Sequence, residues 1–248
     1  MPQERKALQA TRGQPGFHPR PYDRAVRAAS REGGQPIVGI GAGGHAKSVL
    51  EAIRSTDEFE VVALVDDDPS RAGSDVLGFP VEPSNALERL RSDGVAHGFV
   101  GVGGFGGSTR SPVFERLAAA GFELPQIVHA SAHVSPWARL GRGSQVFAGA
   151  VVNAGADIGE DVIVNTAAVV EHDCRISDHV HIAPGVLLAG LAVVGEGTHV
   201  GLGAAVLEGV RIGREAFVAA GAVVVRDVPD GVRVAGVPAR ELPKDEAS

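Results

Sequence analysis

Residues 151–200 read VVNAGADIGEDVIVNTAAVVEHDCRISDHVHIAPGVLLAGLAVVGEGTHV. An aliphatic side chain recurs there at every sixth position: Val152, Ile158, Val164, Val170, Ile176, Ile182, Leu188, Val194 and Val200. The phase runs outward without a slip, down through Val146, Leu140 and Val134 to Val128 and up through Val206, Ile212 and Val218 to Val224. Two residues before these positions stand small or β-branched side chains, among them Ala132, Ala150, Ala156, Ala168, Cys174 and Thr198. A period of six suits neither the 3.6-residue turn of a helix nor the alternation of a long strand. It suits a short strand that ends on a small and then a large inward residue, followed by a corner. Gly141, Gly159, Gly195, Gly201 and Gly213 mark corners where the backbone is expected to need the freedom of glycine. Three sides close a coil of 18 residues, so this stretch predicts about five and a half coils of a three-faced solenoid.

The rest of the composition agrees with such a core. The chain has 248 residues, 34 of them Gly, and only 4% are aromatic. A net charge of −7 argues against broad nucleic-acid binding, which needs a basic face. No apolar run reaches the ~18 residues of a membrane span, and no signal-peptide pattern opens the chain. The one cysteine, Cys174, falls on a small inward position, so a reducing cytoplasm is the expected setting.

Residues 1–34 carry seven Lys/Arg and three Asp/Glu with several Pro and Gly, and predict a flexible basic tail. From residue 35 to 127 strands alternate with helices, which predicts a short Rossmann-like parallel sheet. Pro36–Ile40 is a strand running into Gly41-Ala42-Gly43-Gly44-His45-Ala46-Lys47, and a helix with Val49, Leu50 and Ile53 on one side follows. Val61–Val65 is a second strand, closed by Asp66-Asp67-Asp68-Pro69. A Gly/Pro-rich link, a helix with Leu87 and Leu90, a strand over 95–102, the run Gly103-Gly104-Phe105-Gly106-Gly107 and a helix through Phe114 and Leu117 complete the unit. Glycines at Gly41, Gly43 and Gly44 let backbone approach a pyrophosphate at a helix N-terminus. Asp66 and Asp67, at the end of the next strand, can accept bonds from a ribose or base. The solenoid is expected over 128–242, its last segment capping the prism, with a polar end at 243–248.

Taken together, the GAGGHAK turn, Val65-Asp66-Asp67, the unbroken repeat, Asn165-Thr166, Glu171-His172-Asp173-Cys174 and Gly236-Val237-Pro238-Ala239-Arg240 resemble a known family. It is the sialic-acid O-acetyltransferase (NeuD) family of hexapeptide-repeat acyltransferases, and within it the PglD-type nucleotide-amino-sugar N-acetyltransferases. The resemblance covers about 36–242. It implies a left-handed parallel β-helix, a homotrimer with CoA between adjacent prisms, and transfer of an acetyl group from acetyl-CoA to the 4-amino group of a nucleotide-linked deoxysugar. It implies His172 as general base with Asp173 as its orienting carboxylate, Glu171 being a second candidate for that role. It also implies contacts to acetyl-CoA from His181, Gly190, Leu202 and Ala220, with the Gly190 N–H on the thioester oxygen. For the nucleotide sugar it implies Gly41, Gly43, Gly44, His45, Asp66 and Asp67, and Asn165 is a further candidate for a polar contact. Arg110 is a candidate for a phosphate, and His179 is expected on the surface. His199 should stack on His181, but the HxxxxH pair of the metal-binding prisms is missing, so no metal is expected. Two rivals keep the fold: an O-acetyltransferase acting on sialic acid or another glycan precursor, and a non-catalytic trimeric scaffold.

Overall fold

Each six-residue unit folds as a two-residue strand, such as Gln145–Val146, and a corner. The computed structural model describes residues 33–104 and 107–243; the tail over 1–32, Phe105, Gly106 and the end over 244–248 lie outside the described residues. Strands pair in parallel with those one coil away, Val151 with Val169 and Ile163 with His181. The three columns of strands are the faces of a left-handed β-helix. The first face holds Ile127–Val128 and the strands stacked on it through Phe217–Val218, the second begins at His133–Val134, and the third at Arg139–Leu140.

The core follows the repeat. Val146, Val152, Val164, Val170, Ile182, Val194 and Val200 are fully buried, each two residues after a small or β-branched partner. Deleting methyl groups from such a column costs on the order of 1 kcal/mol for Ile→Val and more for larger cuts. Two inward polar residues are satisfied: Ser144 Oγ donates to Gly159 O at 2.7 Å, and Thr198 Oγ1 to Gly213 O at 2.6 Å.

The corner glycines have a different reason from the one expected. From Leu140 to Val218 the left-handed turn falls three residues after the inward position, at Gly149, Gly155, Gly185 and Gly203, for example, and at Asp161, Asp173 and His179 among others without glycine. Gly195 and Gly201 sit earlier in the corner, where coils touch. A Cβ on Gly195 would meet Arg214 N at 2.6 Å, and one on Gly201 would meet Val218 O at 2.5 Å. These positions are glycine because the next coil leaves no room. The capping segment pairs Arg233–Ala235 in parallel with Phe217–Val218 and folds back antiparallel through Arg240–Glu241.

The N-terminal sheet has strands β1 (Gln35–Ile40), β2 (Phe59–Asp66), β3 (Asp75–Val76), β4 (Phe79–Pro83) and β5 (His97–Val100), in the order β3-β4-β2-β1-β5. All neighbours are parallel except the short hairpin β3/β4. That hairpin occupies what the sequence presents as a Gly/Pro-rich link. Helices α1 (Gly44–Arg54), α2 (Ala86–Ser92) and α3 (Ser111–Ala119) cover the sheet.

The described residues form one compact unit. The first face of the prism packs on the α/β layer: Ile127, Phe147 and Ile163 join one buried cluster with Val49, Leu50 and Ile53. Burying each such side chain is worth about 1.5–3 kcal/mol. Outward residues of the other faces differ in kind. The second face carries His133, Val151, Val169, Leu187, Ala205 and Val223, the third Arg139, Asp157, Arg175, Val193 and Arg211.

Candidate active site

The turn after β1 is built to be open. Gly41 has φ +104° and lies against Gly101, so only glycine fits there. Gly43 caps α1 without a side-chain bond, and a Cβ on Gly43 or Gly44 would meet nothing within 4 Å. The free N–H groups of the first turn of α1 therefore face open space, a ready anion site. The turn is clamped at Ala42, whose N–H donates to Asp66 Oδ2 at 2.7 Å and whose carbonyl accepts from Arg71 Nη1 at 2.7 Å. Asp66 thus fixes the loop from within. Asp67 is mostly exposed and accepts from Arg116 Nη1 at 2.8 Å, and that bond holds its carboxyl below the usual range.

His45, second residue of α1, turns toward the prism. Its Nε2 lies 2.9 Å from Gln145 Oε1, and its ring meets the edge of Phe147. Burial lowers its pKa. His181 is on the same face, 9% exposed. Its Nδ1 donates to Gly104 O at 3.0 Å, and its Nε2 accepts from Asn165 Nδ2 at 3.2 Å. His199 stacks edge-on at 4.8 Å between centroids. Burial first, then the neighbouring His199 and Arg110, push His181 down to about 3, so it is neutral at ordinary pH.

His172 stands on a different part of the surface, the edge between the second and third faces. A prism edge lies opposite the remaining face, so His172 is remote from the first face and cannot converge with His181 and His199. It is exposed, and its Nδ1 donates to Asp173 Oδ2 at 2.9 Å. That hydrogen bond raises its pKa and leaves Nε2 with the lone pair. Asp173 takes the left-handed turn position at φ +58°, which aspartate tolerates better than most residues. Glu171 bonds the His172 backbone N–H instead, at 3.3 Å. One coil on, Gly190 lies against the ring: a Cβ there would stand 2.6 Å from His172 Nε2.

Leu202, 58% exposed, Ala220 and half-buried Asn165 lie along the edge between the first and second faces. The expected site residues therefore form two groups within one chain. His172, Asp173 and Gly190 hold one edge of the second face. Asn165, Leu202 and Ala220 hold the other, next to the first face with His181, His45, Gly41, Gly43, Gly44, Asp66 and Asp67.

Two expectations are corrected. Arg110 is fully buried and bonds the Asp161 carboxylate at 3.3 Å and carbonyl at 2.5 Å, so it meets no phosphate. His179 is mostly covered, with Nδ1 at 3.0 Å from Asp161 and its ring against Phe114. Gln145 passed unnoticed in the sequence. Its place on an outward column predicts exposure, and only the α/β layer covering that column buries it. Cys174 points inward as expected, its thiol pushed up to about 11 by burial.

A left-handed β-helix with an N-terminal α/β unit and a histidine–carboxylate pair on its edge defines a hexapeptide-type acyltransferase. Residues 36–117 match the PglD N-terminal domain. GDP-perosamine N-acetyl transferase from Caulobacter crescentus, solved as a histidine-to-alanine variant with CoA and GDP-perosamine, is 45% identical, covering 86% of this chain and 98% of that one with a TM-score of 0.80. The acetyltransferase domain of PglB from Neisseria gonorrhoeae FA1090, solved with acetyl coenzyme A, is 41% identical over 85% of this chain and 100% of that one, with a TM-score of 0.78. The chain belongs to the PglD-type nucleotide-sugar N-acetyltransferases, enzymes that take acetyl-CoA as co-substrate. A shorter likeness, 40% over 86 residues, joins it to the redox-sensing transcriptional repressor Rex of Streptomyces coelicolor. It spans 34% of this chain and 32% of the repressor. Among the described residues no helix is long and apolar enough to cross a membrane.

Proposed function

We propose that the enzyme acetylates the 4-amino group of a nucleotide-linked deoxysugar, with His172 as general base, in sites completed between copies of a homotrimer. The observation that carries this is the second face. Its outward column is apolar from Val151 to Val223, and each of its edges bears one half of the expected site. Three copies packed by this face around an axis bring the His172 edge of one against the Leu202 edge of the next.

In this arrangement the nucleotide lies on the Gly41–Gly44 turn, its pyrophosphate on the α1 N-terminus and its base near Asp66 and Asp67. His172 Nε2 takes a proton from the sugar ammonium. The amine nitrogen then attacks the thioester carbonyl and C–N forms; the attacking nitrogen gives its second proton to solvent, and C–S breaks as the proton held by His172 passes to the CoA sulfur. The Gly190 N–H, beside Nε2, faces the oxygen where negative charge develops. Leu202, Ala220, His181 and Asn165 line the neighbouring copy's side of the CoA path. No acyl-enzyme forms, since the Cys174 thiol is inward. The buried thiol also suits a cytoplasmic setting.

The test is thiol release from acetyl-CoA with GDP-, UDP- and dTDP-linked 4-amino sugars, free sialic acid serving as the hydroxyl control. Release with an amino sugar supports the proposal; release with sialic acid alone overturns it. Mixing His172→Ala protomers with Asp66→Ala protomers tests the shared site: refolded mixtures regain activity only if two copies complete one centre. Gly190→Ala provides a sharper probe of the edge. Gly190 has no positive φ, so alanine is tolerated by the backbone but displaces the His172 ring. Turnover is expected to fall at least tenfold with Tm nearly unchanged; full turnover would separate Gly190 from the centre.

A further inference from the structure

Gln145 joins the two parts of the chain through both ends of its amide. It is 2% exposed. Its Nε2 donates to Val100 O at 2.7 Å, at the end of β5. A carbonyl oxygen only accepts, so this bond fixes which way the amide faces. Oε1 is then the atom 2.9 Å from His45 Nε2, and it too only accepts. The proton of a neutral His45 must therefore sit on Nε2, and Nδ1 keeps its lone pair.

The neutral form is favoured independently. His45 is the second residue of α1, where the positive end of the helix opposes a cation, and the ring is packed between Phe147 and the Gly103 backbone. Nδ1 lies on the Gly103 side, 3.4 Å from where a Gly103 Cβ would be. Gly103 and the Gly41–Gly44 turn follow the carboxyl ends of β5 and β1, the rim on which ligands of parallel sheets bind. His181 is locked in the opposite sense two strands from Gln145, Nδ1–H toward Gly104 O and Nε2 toward Asn165. The face therefore presents two neutral imidazoles of fixed and opposite polarity.

We propose that Gln145 is a positioning residue for the nucleotide sugar: it holds His45 in the Nε2–H form, so that Nδ1 accepts a hydrogen bond from a hydroxyl or amino group of the sugar. This rests on the nucleotide-sugar reading above. The interaction is with substrate alone, so its loss appears in KM for the nucleotide sugar.

Imidazole ¹⁵N shifts of the free enzyme, with His45 assigned by a His45→Gln variant, are expected to show protonated Nε2 and bare Nδ1. Gln145→Met removes the acceptor at similar length. It should mix the two tautomers and raise KM for the nucleotide amino sugar about tenfold, with KM for acetyl-CoA unchanged and kcat lowered less. A bare Nε2 in the wild-type spectrum overturns the proposal, as does an unchanged KM in a folded Gln145→Met enzyme. If Gln145→Met fails to fold, the wild-type spectrum still decides the tautomer. If the wild type turns over no nucleotide amino sugar while its spectrum is as expected, the functional reading fails and the tautomer lock stands.

Discussion

Replacing His172 with alanine lowers acetyl transfer by a factor on the order of 10²–10⁴ while CoA still binds. The expectation follows from what the side chain touches. Nδ1 is committed to Asp173, Nε2 lies over Gly190, and the ring makes no contribution to the buried core. Binding and folding are therefore preserved, and the loss falls on turnover. The pH profile gives an independent check. The bond from Asp173 raises the His172 pKa above its ordinary 6.5, and only the neutral ring can take a proton. Activity should fall as pH drops through that raised value. Asp173→Asn weakens the effect, so the acidic limb moves to lower pH, and the maximum rate falls because the ring is less basic and less well held. Undiminished thiol release in His172→Ala, or a limb that does not move in Asp173→Asn, would sink the assignment.

The largest stability effect is expected at Arg110. The guanidinium and the Asp161 carboxylate are both enclosed, and Arg110 also donates to Asp161 O and Val180 O. Removing one partner of such a pair leaves a buried charge and typically costs about 3–5 kcal/mol. Arg110→Ala should lower the unfolding free energy by that amount, read from the denaturant midpoint. Asp161→Asn in the same chain should cost less than the two changes summed, because each then removes the other's burden. A loss below about 1 kcal/mol in the single variant would show the pair is not a fixed part of the interface. The wild-type protein should respond to pH here as well. Asp161 raises the pKa of His179, so this pair stabilises fully below pH ~6.5 and loses its contribution as pH rises through the raised value.

The repeat was legible because it depends on one rule, a large inward side chain every six residues, and nothing outside the prism perturbs it. Val152 and Val194 are as buried as their phase demands. The α/β elements were legible for a similar reason, since β1, α1 and β2 are local patterns. What could not be read was contact between distant segments. Phase predicts that Gln145 and His181 point outward from the prism, and they do, but no local signal tells that the α/β layer covers their face. The burial of Arg110 and His179 was hidden in the same way, and the expectation of a phosphate contact and a surface position failed with it. Gly195 and Gly201 were recognised as special for the wrong cause: one chain position shows that glycine is present, not that another coil stands against it. At the candidate site the motif singles out His172 and Asp173 as candidates, which lie within hydrogen-bond distance of each other. The left-handed turn that lets a short aspartate reach the imidazole has no signature in the sequence, since Asp173 stands where other coils carry glycine.

Because the two halves of the site are carried by different parts of the chain, they can evolve at different rates. On the reading proposed above, substitutions in the turn after β1 or at Asp67 would alter which nucleotide is held, at positions more than 100 residues before His172. Exchange of the α/β layer between relatives, cut near residue 127 and keeping the outward column it sits on, should carry donor-independent substrate preference with it. The transfer edge would be inherited intact. The fold thereby allows substrate preference to change in one part of the chain without altering the part that carries His172.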